Sequence, residues 1–307
     1  MAMRIRDELN MQWRIGGTLV RLILVNVAVF LAMLMVDLAM LFASQDKLVA
    51  AELGHRYMRQ WIECPQDLGV LITRPWTVIT YMFAHQGIGH IFFNMMMLWF
   101  SGQLFQNILG DQRLLGTYLL GGLSGLALYL AFYNLMPMYA GAGWIVGTSA
   151  SVMAILVCIA AYRPQMIVHL ILFGPVKLMY IAAVLVVLDL VFLRDGDNSG
   201  GHIAHLGGAL YGYMAALLLD KGRDPGMAVG RSISRLGERL RFKRRGRMRV
   251  EKFDRRRVRV VQDTEFNAGQ RDKQARVDAI LDKISRSGYD SLSKEERDFL
   301  FKASKDK

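Results

Sequence analysis

The sequence has little cysteine and fewer charged residues than a soluble protein of its size. Cysteine occurs only at Cys64 and Cys158, which excludes a disulfide framework and gives no metal-binding spacing. Charged residues make up 21% of the 307 residues, whereas 53% are hydrophobic. Since soluble domains carry about 25% charged residues, this balance argues against an ordinary soluble protein.

Charge is divided unevenly along the chain. Residues 1–220 contain 12 basic and 12 acidic residues, whereas residues 221–307 contain 26 basic and 14 acidic residues. The formal net charge of +12 therefore belongs to the tail. Before the tail, several apolar runs of about 18 to 25 residues have the length needed to cross a hydrocarbon core of about 30 Å. The sequence predicts a polytopic membrane protein.

Six membrane spans are predicted, and lysine and arginine near their ends set the orientation. We expect an all-α, six-transmembrane-helix bundle with spans at roughly 20–43, 87–107, 113–133, 147–163, 166–193 and 202–220. The first span follows Arg4, Arg6, Arg14 and Arg21. It is too long for a secretory signal, which favours a retained signal-anchor. Arg163 and the basic tail lie on the same predicted side as the N-terminus, so both termini are predicted to be cytoplasmic.

A stretch of about forty residues between the first two spans contains tryptophan and arginine beside apolar residues, as at Trp61 and Arg74-Pro75-Trp76. This composition suits the membrane interface. We expect a partly helical segment lying at the outer leaflet boundary, with a plain extracellular loop as the alternative.

Three regions are predicted along the chain. Residues 1–220 form the membrane domain, residues 221–270 a basic juxtamembrane linker expected to be disordered, and residues 271–307 a small helical cytoplasmic appendage. Because the dense arginine runs of the linker follow a span directly, they favour anionic lipid over nucleic acid as the partner. In the appendage, apolar residues at helical spacing and a break at Ser287-Gly288 predict a helix-turn-helix docking or regulatory module.

Polar residues that could do chemistry occur at the front of three predicted spans. His90 and Asn94 lie four residues apart on the second span, so a helix places both side chains on one face. Ser149 opens the fourth span and His205 opens the sixth. Because these spans enter the membrane from the same side, all four residues lie at one depth in the outer leaflet. We therefore predict a shared, water-accessible pocket.

These residue types suit acyl transfer. A serine becomes a nucleophile when a histidine accepts its proton, which assigns Ser149 as the nucleophile and His205 as the base. His90, Asn94 and the backbone N–H of Ser149 could bind the oxyanion of the tetrahedral intermediate. Asp189 could orient a histidine in principle, but its place near the end of the fifth span favours a residue that simply meets the interface.

Other glycines and histidines in these segments are predicted to have structural roles. Gly208 and Gly212 follow His205 on one helical face and form a groove that lets another helix approach closely. His85 is interpreted as a structural hydrogen-bonding residue. The alternative of a zinc site is disfavoured because it leaves Ser149 without a role. Its ligands would be His85, His90, His202 and His205.

At three motifs the sequence resembles the rhomboid family of intramembrane serine proteases. The motifs are His85-x4-His90-x3-Asn94, Gly147-Thr148-Ser149-Ala150 and His205-x2-Gly208-x3-Gly212. The resemblance spans the six predicted helices and suggests a bacterial member with a C-terminal cytoplasmic extension. It implies a Ser149–His205 dyad without an acid, and an oxyanion hole of His90, Asn94 and the Ser149 amide. It also implies a water-filled cavity open to the outer face of the plasma (inner) membrane, and an interfacial loop between the first two spans.

Two positions depart from the family pattern. Ala150 follows the nucleophile where many members have glycine, which leaves less room for close backbone approach. Met153 stands where some members carry a tyrosine that stacks on the catalytic histidine, and methionine supplies neither ring nor hydroxyl. Met153 therefore bears on how His205 is positioned and leaves the dyad itself intact.

The sequence predicts an intramembrane serine endopeptidase that cleaves peptide bonds in or near transmembrane segments of membrane proteins. Substrate helices with small residues, glycine or proline should be preferred because the scissile bond must leave its helix. No cofactor, metal or nucleic acid is expected. One alternative is a catalytically silent relative that binds transmembrane helices as an adaptor or chaperone. Another is a transporter with a midplane polar site, which the absence of a convincing internal repeat disfavours.

Overall fold

The computed structural model describes residues 11–13, 16–136, 143–170, 174–193, 198–244 and 263–305. The chain separates into two compact units, Met1–Arg244 and Arg245–Lys307. Several basic and acidic positions used in the sequence predictions lie outside the described residues. They are Arg4, Arg6, Arg14, the loop residues 194–197 and the arginine-rich stretch 245–262.

Helices make up most of the first unit. They are α1 (Gly17–Ser44), α2 (Lys47–Tyr57), α3 (Leu68–Thr73), α4 (Thr77–Thr80), α5 (Ile88–Leu109), α6 (Asp111–Leu135), α7 (Ser149–Tyr162), α8 (Leu178–Phe192), α9 (Ser199–Asp220) and α10 (Pro225–Arg244). In the described part of the chain, α1, α6 and α9 are long and apolar enough to cross a membrane. Helices α7 and α8 are apolar but shorter. The protein is therefore a mostly helical integral membrane protein, and six crossings remain a prediction.

Two short antiparallel strand pairs interrupt the expected all-α architecture. β1 (Cys64–Pro65) pairs with β2 (Trp144–Ile145), and β3 (Ile167–Leu170) pairs with β4 (Gly174–Lys177). The first pair joins the segment after α2 to the chain just before α7. The fold class is therefore mostly helical and not strictly all-α.

The second strand pair corrects the predicted span at 166–193. Its first part is the β3–β4 hairpin, and a helix begins only at Leu178. Proline has no N–H for a helical hydrogen bond, and Pro175 lies within β4. The preceding Gly174 has φ +69°, in the left-handed region that favours glycine. These two residues stop the helix that hydropathy alone had extended.

The stretch between α1 and α5 is partly helical, as predicted. It contains α2, α3, α4 and two short 3₁₀ turns, Arg59–Trp61 and Tyr81–Phe83. The Trp61 and Trp76 rings stack with centroids 6.1 Å apart, and the Arg74 guanidinium lies 4.4 Å from the Trp61 ring centroid. The tryptophans and arginine noted in the sequence therefore form one cluster.

Helix α7 is the centre of the packing, because ten of its 14 residues are buried. A Cβ added at Gly208 of α9 would lie 2.1 Å from the Ala150 carbonyl oxygen, and one at Gly212 would lie 2.4 Å from the Ala154 carbonyl oxygen. Gly208 and Gly212 therefore lie against the backbone of α7. On the other side, Gly125 of α6 makes room for the Ala150 methyl, because a Cβ at Gly125 would lie 2.6 Å from it.

Helix α10 differs from the disordered linker expected over residues 221–270. Asp224 accepts a hydrogen bond from the Met227 backbone N–H at 2.8 Å and pairs with Arg113. At Gly230 a Cβ would lie 1.9 Å from the Gln112 carbonyl oxygen of α6. A helix forms here because its glycines allow backbone contact with α6 and its first turn is capped by a carboxylate.

The second unit contains two described helices, α11 (Asp263–Ser287) and α12 (Lys294–Lys305), with a 3₁₀ turn at Tyr289–Ser291 between them. The Ser293 hydroxyl accepts from the Glu296 N–H, and the Glu296 carboxylate accepts from the Ser293 N–H at 2.8 Å. This reciprocal capping box starts α12. This region thus contains two helices and a turn, with α11 beginning at Asp263, ahead of the predicted boundary at residue 271. The docking or regulatory role stays a prediction.

Candidate active site

One cavity of about 980 Å³ brings together the four residues predicted to do chemistry. It is lined by side chains from α5, α6, α7, α8 and α9, among them His90, Asn94, Ser149 and His205. Met153 also lines this cavity. Residues 115 positions apart in the sequence, from His90 to His205, thus meet in one space, as the helix orientations predicted.

Ser149 is the first residue of α7. At 1.5 Å per residue this helix is about 21 Å long, which is less than the roughly 30 Å hydrocarbon core. A short central helix lets its N-terminal end lie below the membrane surface. The first four N–H groups of a helix have no partner within it, so the Ser149 end offers both donors and a partial positive charge to an anion.

Three hydrogen bonds fix the chain just before Ser149. The Thr148 hydroxyl donates to the Tyr118 hydroxyl at 2.7 Å, and Tyr118 donates to the Met82 carbonyl at 2.8 Å. The Gly147 N–H donates to the Tyr81 carbonyl at 2.9 Å. Sequence reasoning missed Tyr81, Tyr118 and Thr148, although polar side chains in or near apolar spans were the available signal.

Gly147 separates Ser149 from His90. Its φ is +125°, and a Cβ added there would lie 2.9 Å from His90 Nε2 and 3.7 Å from Ser149 Oγ. Any side chain at this position would push into the space between the two groups. Glycine is therefore required for His90 to lie against the chain just before Ser149.

Asn94 lies one helical turn after His90, and its side chain is buried. Its Nδ2 group donates to the His90 carbonyl oxygen at 2.9 Å. An amide nitrogen carries two N–H donors, so the second remains for a ligand in the cavity. The predicted placement of His90 and Asn94 on one helical face agrees with this geometry.

His205 is bonded to an acid that the sequence reasoning had set aside. Asp189 of α8 is buried, and its Oδ1 lies 2.8 Å from Nδ1 of His205 and 2.8 Å from Nδ1 of His202. The interpretation of Asp189 as a residue that meets the interface was wrong, because the carboxylate points inward to α9. The described residues include no hydrogen bond between Ser149 and His205, and such bonds commonly tighten only when substrate binds.

His85 lies outside the lining of the cavity but next to it. Its ring meets that of His90 edge-on with centroids 5.0 Å apart, and the side chain is buried. Burial, followed by the nearby His90, lowers the pKa of His85 to about 4. His85 is therefore neutral at physiological pH and supports the position of His90.

The zinc site considered from the sequence does not form with its four histidines. Among the described residues, the compact set of potential ligands is Asp189, His202 and His205, whose ligand atoms lie within 4.8 Å of one another. The hydrogen bonds from both imidazoles to Asp189 account for this spacing without a cation. The site thus has the groups of a serine hydrolase, in a cavity inside a helical membrane protein.

Comparison with known families agrees with that class. Residues 73–221 match the Rhomboid domain. Residues 262–306 match a family of unknown function (DUF6576). The domain match covers α5 to α9, the helices that line the cavity.

Three similar proteins carry rhomboid names. The chain is 34% identical over 158 residues to RHOMBOID-like protein 12, mitochondrial, of Arabidopsis thaliana, covering 48% of this chain and 47% of the relative. It is 29% identical over 142 residues to Presenilin-associated rhomboid-like protein A, mitochondrial, of Danio rerio, covering 46% and 36%. It is 26% identical over 176 residues to Rhomboid protein 1, mitochondrial, of Saccharomyces cerevisiae, covering 55% and 49%. The chain thus spans about half or less of each of these relatives.

Proposed function

We propose that this protein is an intramembrane serine endopeptidase. The observation that carries the proposal is the single cavity in which Ser149, His205, His90 and Asn94 meet from three helices. The match of residues 73–221 to the Rhomboid domain supports the same conclusion. A packing role alone does not explain why these polar groups line a cavity between apolar helices.

In the proposed reaction, His205 Nε2 takes the proton of the Ser149 hydroxyl while Oγ attacks the substrate carbonyl carbon. The resulting oxyanion accepts hydrogen bonds from the Ser149 N–H, Asn94 Nδ2 and His90 Nε2. His205 then gives its proton to the leaving amine, and the C–N bond breaks. Water hydrolyses the acyl-enzyme by the same route with His205 again as base, which restores the Ser149 hydroxyl.

The substrates we propose are membrane proteins with a transmembrane helix. A helix hides its own carbonyls in hydrogen bonds, so the segment entering the cavity must unwind locally. Substrates with glycine, proline or small residues near the cleaved bond should react faster, because unwinding them costs less. The thinly packed helix α8, next to the cavity, leaves a side through which such a segment could approach.

A fluorophosphonate probe tests for an activated serine without a known substrate. Wild-type protein in detergent should be labelled covalently, and Ser149→Ala and His205→Ala should lose labelling by at least about 10³-fold. Ser151→Ala is the matched control, because Ser151 is buried two residues away and lies outside the cavity lining. Labelling of Ser149→Ala at the wild-type rate would contradict the proposal.

An adaptor or chaperone that binds transmembrane helices without cleaving them is the second candidate. It is favoured by Met153, which lines the cavity and has no ring that could stack on a histidine. Folded, monodisperse wild-type protein that binds a transmembrane helix but is never labelled would support this candidate.

Location and lipid contacts are also proposals. We propose the plasma (inner) membrane, with both termini cytoplasmic and the cavity facing outward, and the mitochondrial names of the relatives suggest the rival location. Protease protection of the tail in sealed vesicles tests the orientation.

The basic tail is proposed to bind anionic lipid. Binding to phosphatidylserine vesicles, lost on removal of residues 245–262, tests the lipid contact.

A further inference from the structure

A buried carboxylate beside the cavity has no role in the reaction described above. Asp189 is the only charged residue of α8, and the rest of that helix is apolar except for Tyr180. Removing a carboxylate from water is costly, so such groups persist where a partner compensates. Both compensating groups are imidazoles on α9, and one of them is the proposed base.

The chemistry of these bonds selects one form of His205. An ionised carboxylate only accepts hydrogen bonds, so each imidazole must present an N–H on Nδ1. In a neutral imidazole the other nitrogen, Nε2, then carries the lone pair. This is the tautomer in which Nε2 of His205 can accept the Ser149 proton.

We propose that Asp189 is a positioning residue for His205, so that the site works as a Ser149–His205–Asp189 triad in which His202 shares the acid. Asp189 holds His205 in the productive tautomer and orientation, and its charge stabilises the imidazolium formed when His205 accepts a proton. His202 donates to the same oxygen and so reduces the charge available to His205. This inference rests on the proposed function.

The surroundings of His205 leave Asp189 as the one acid that faces it in the described part of the chain. Titratable groups from every helix around the cavity line the same space as His205. They are Asp189 from α8, His90 from α5, Tyr129 and Tyr133 from α6, and His202 from α9 itself, with the Ser149 hydroxyl from α7. The one hydrogen bond described for the His205 ring is to Asp189, so the removal of that charge changes the ring most.

A purely structural role for Asp189 is the competing explanation. Helix α8 buries only Leu178, Ala182 and Asp189, so the two bonds could serve to hold α8 against α9. That role predicts a less stable protein whose remaining activity keeps its pH dependence. Positioning predicts a change in pH dependence in a protein that stays folded.

The test is the second-order rate of fluorophosphonate labelling from pH 5 to 9, with full-length protein in detergent. Asp189→Asn should label about 10² to 10⁴-fold more slowly, and the acid limb of its profile should move to lower pH. Asp189→Glu should recover part of the rate, because it restores the charge. His202→Phe should keep its labelling at high pH but move the acid limb to higher pH, because His205 then has the carboxylate to itself.

Asp220→Asn is the matched control, since Asp220 is exposed at the far end of α9 and should leave the profile unchanged. The proposal is overturned if Asp189→Asn labels within about threefold of wild type, or if its loss of rate follows its loss of thermal stability with an unshifted profile. Wild-type protein that is never labelled would remove the proposed function and this inference together. Labelling lost in Ser149→Ala but normal in Asp189→Asn would remove the inference alone.

Discussion

Helices α9 and α8 both reach the cavity, but they are held in different ways. Ten of the 22 residues of α9 are buried, and its glycines place it in backbone contact with α7. Only three of the 15 residues of α8 are buried, and Val184, Val187 and Leu190 are each more than half exposed. His205 is therefore carried by a closely packed framework, whereas α8 is thinly packed and Asp189 is the one charged side chain that it contributes to the cavity.

The largest loss of stability is expected when α9 is forced away from α7. In Gly208→Ala the new Cβ would lie 2.1 Å from a backbone carbonyl of α7, so the helices must separate. We expect a loss of about 3 kcal/mol or more in the free energy of unfolding, because backbone cannot move aside as a side chain can. The thermal unfolding midpoint in detergent measures this loss.

Gly89→Ala is the control for that substitution. Gly89 also lies within a helix, but a Cβ there meets no atom within 4 Å. The same change should leave stability unaltered or raise it by up to about 1 kcal/mol, because alanine favours helix more than glycine does. Equal destabilisation by both substitutions would show that helix contact is not the reason for Gly208.

Acid should lower the stability of the protein by a smaller amount. The group responsible is His85, which is buried in the closely packed part of the protein. The folded-state pKa of His85 is lowered to about 4, from 6.5. As the pH falls, the unfolded chain therefore binds the proton first, and stability declines between pH 6.5 and 4 before levelling. At pH 5 the loss should be about 2 kcal/mol relative to neutral pH.

Unfolding midpoints from pH 7.5 to 4.5 check this prediction. His85→Gln should remove most of this acid dependence, because glutamine does not titrate. His169→Gln, at an exposed position of β3, should keep the wild-type dependence. An unchanged slope in His85→Gln would assign the acid sensitivity to another group.

The smallest effect is expected on the lipid-facing side. Val187→Ala removes two methyl groups from a side chain that is 54% exposed on α8, so stability should change by less than about 0.5 kcal/mol. Leu178→Ala on the same helix removes a fully buried side chain and should cost about 2 to 5 kcal/mol. Similar losses from both substitutions would mean that α8 is packed on all sides.

The difference between α9 and α8 also explains which parts of the fold and the site could be predicted from the sequence. The meeting of His90, Asn94, Ser149 and His205 follows from helix periodicity and alternating direction, which sequence shows well. The Asp189–His205 bond depends on how α8 is rotated about its axis. An apolar helix with one polar residue does not reveal that rotation, because hydropathy is nearly uniform around it. The β3–β4 hairpin was missed since hydropathy does not distinguish apolar strands from apolar helices.

His205 lies on α9, which is synthesised later than the other helices that line the cavity. The proposed nucleophile, oxyanion donors and acid all precede residue 190, whereas the proposed base lies on the last long apolar helix described in the unit. During synthesis, α9 must emerge and lie against α7 before Ser149 has a proton acceptor. On the proposed mechanism, a newly made chain would be inert towards its neighbours in the membrane until its own assembly is complete.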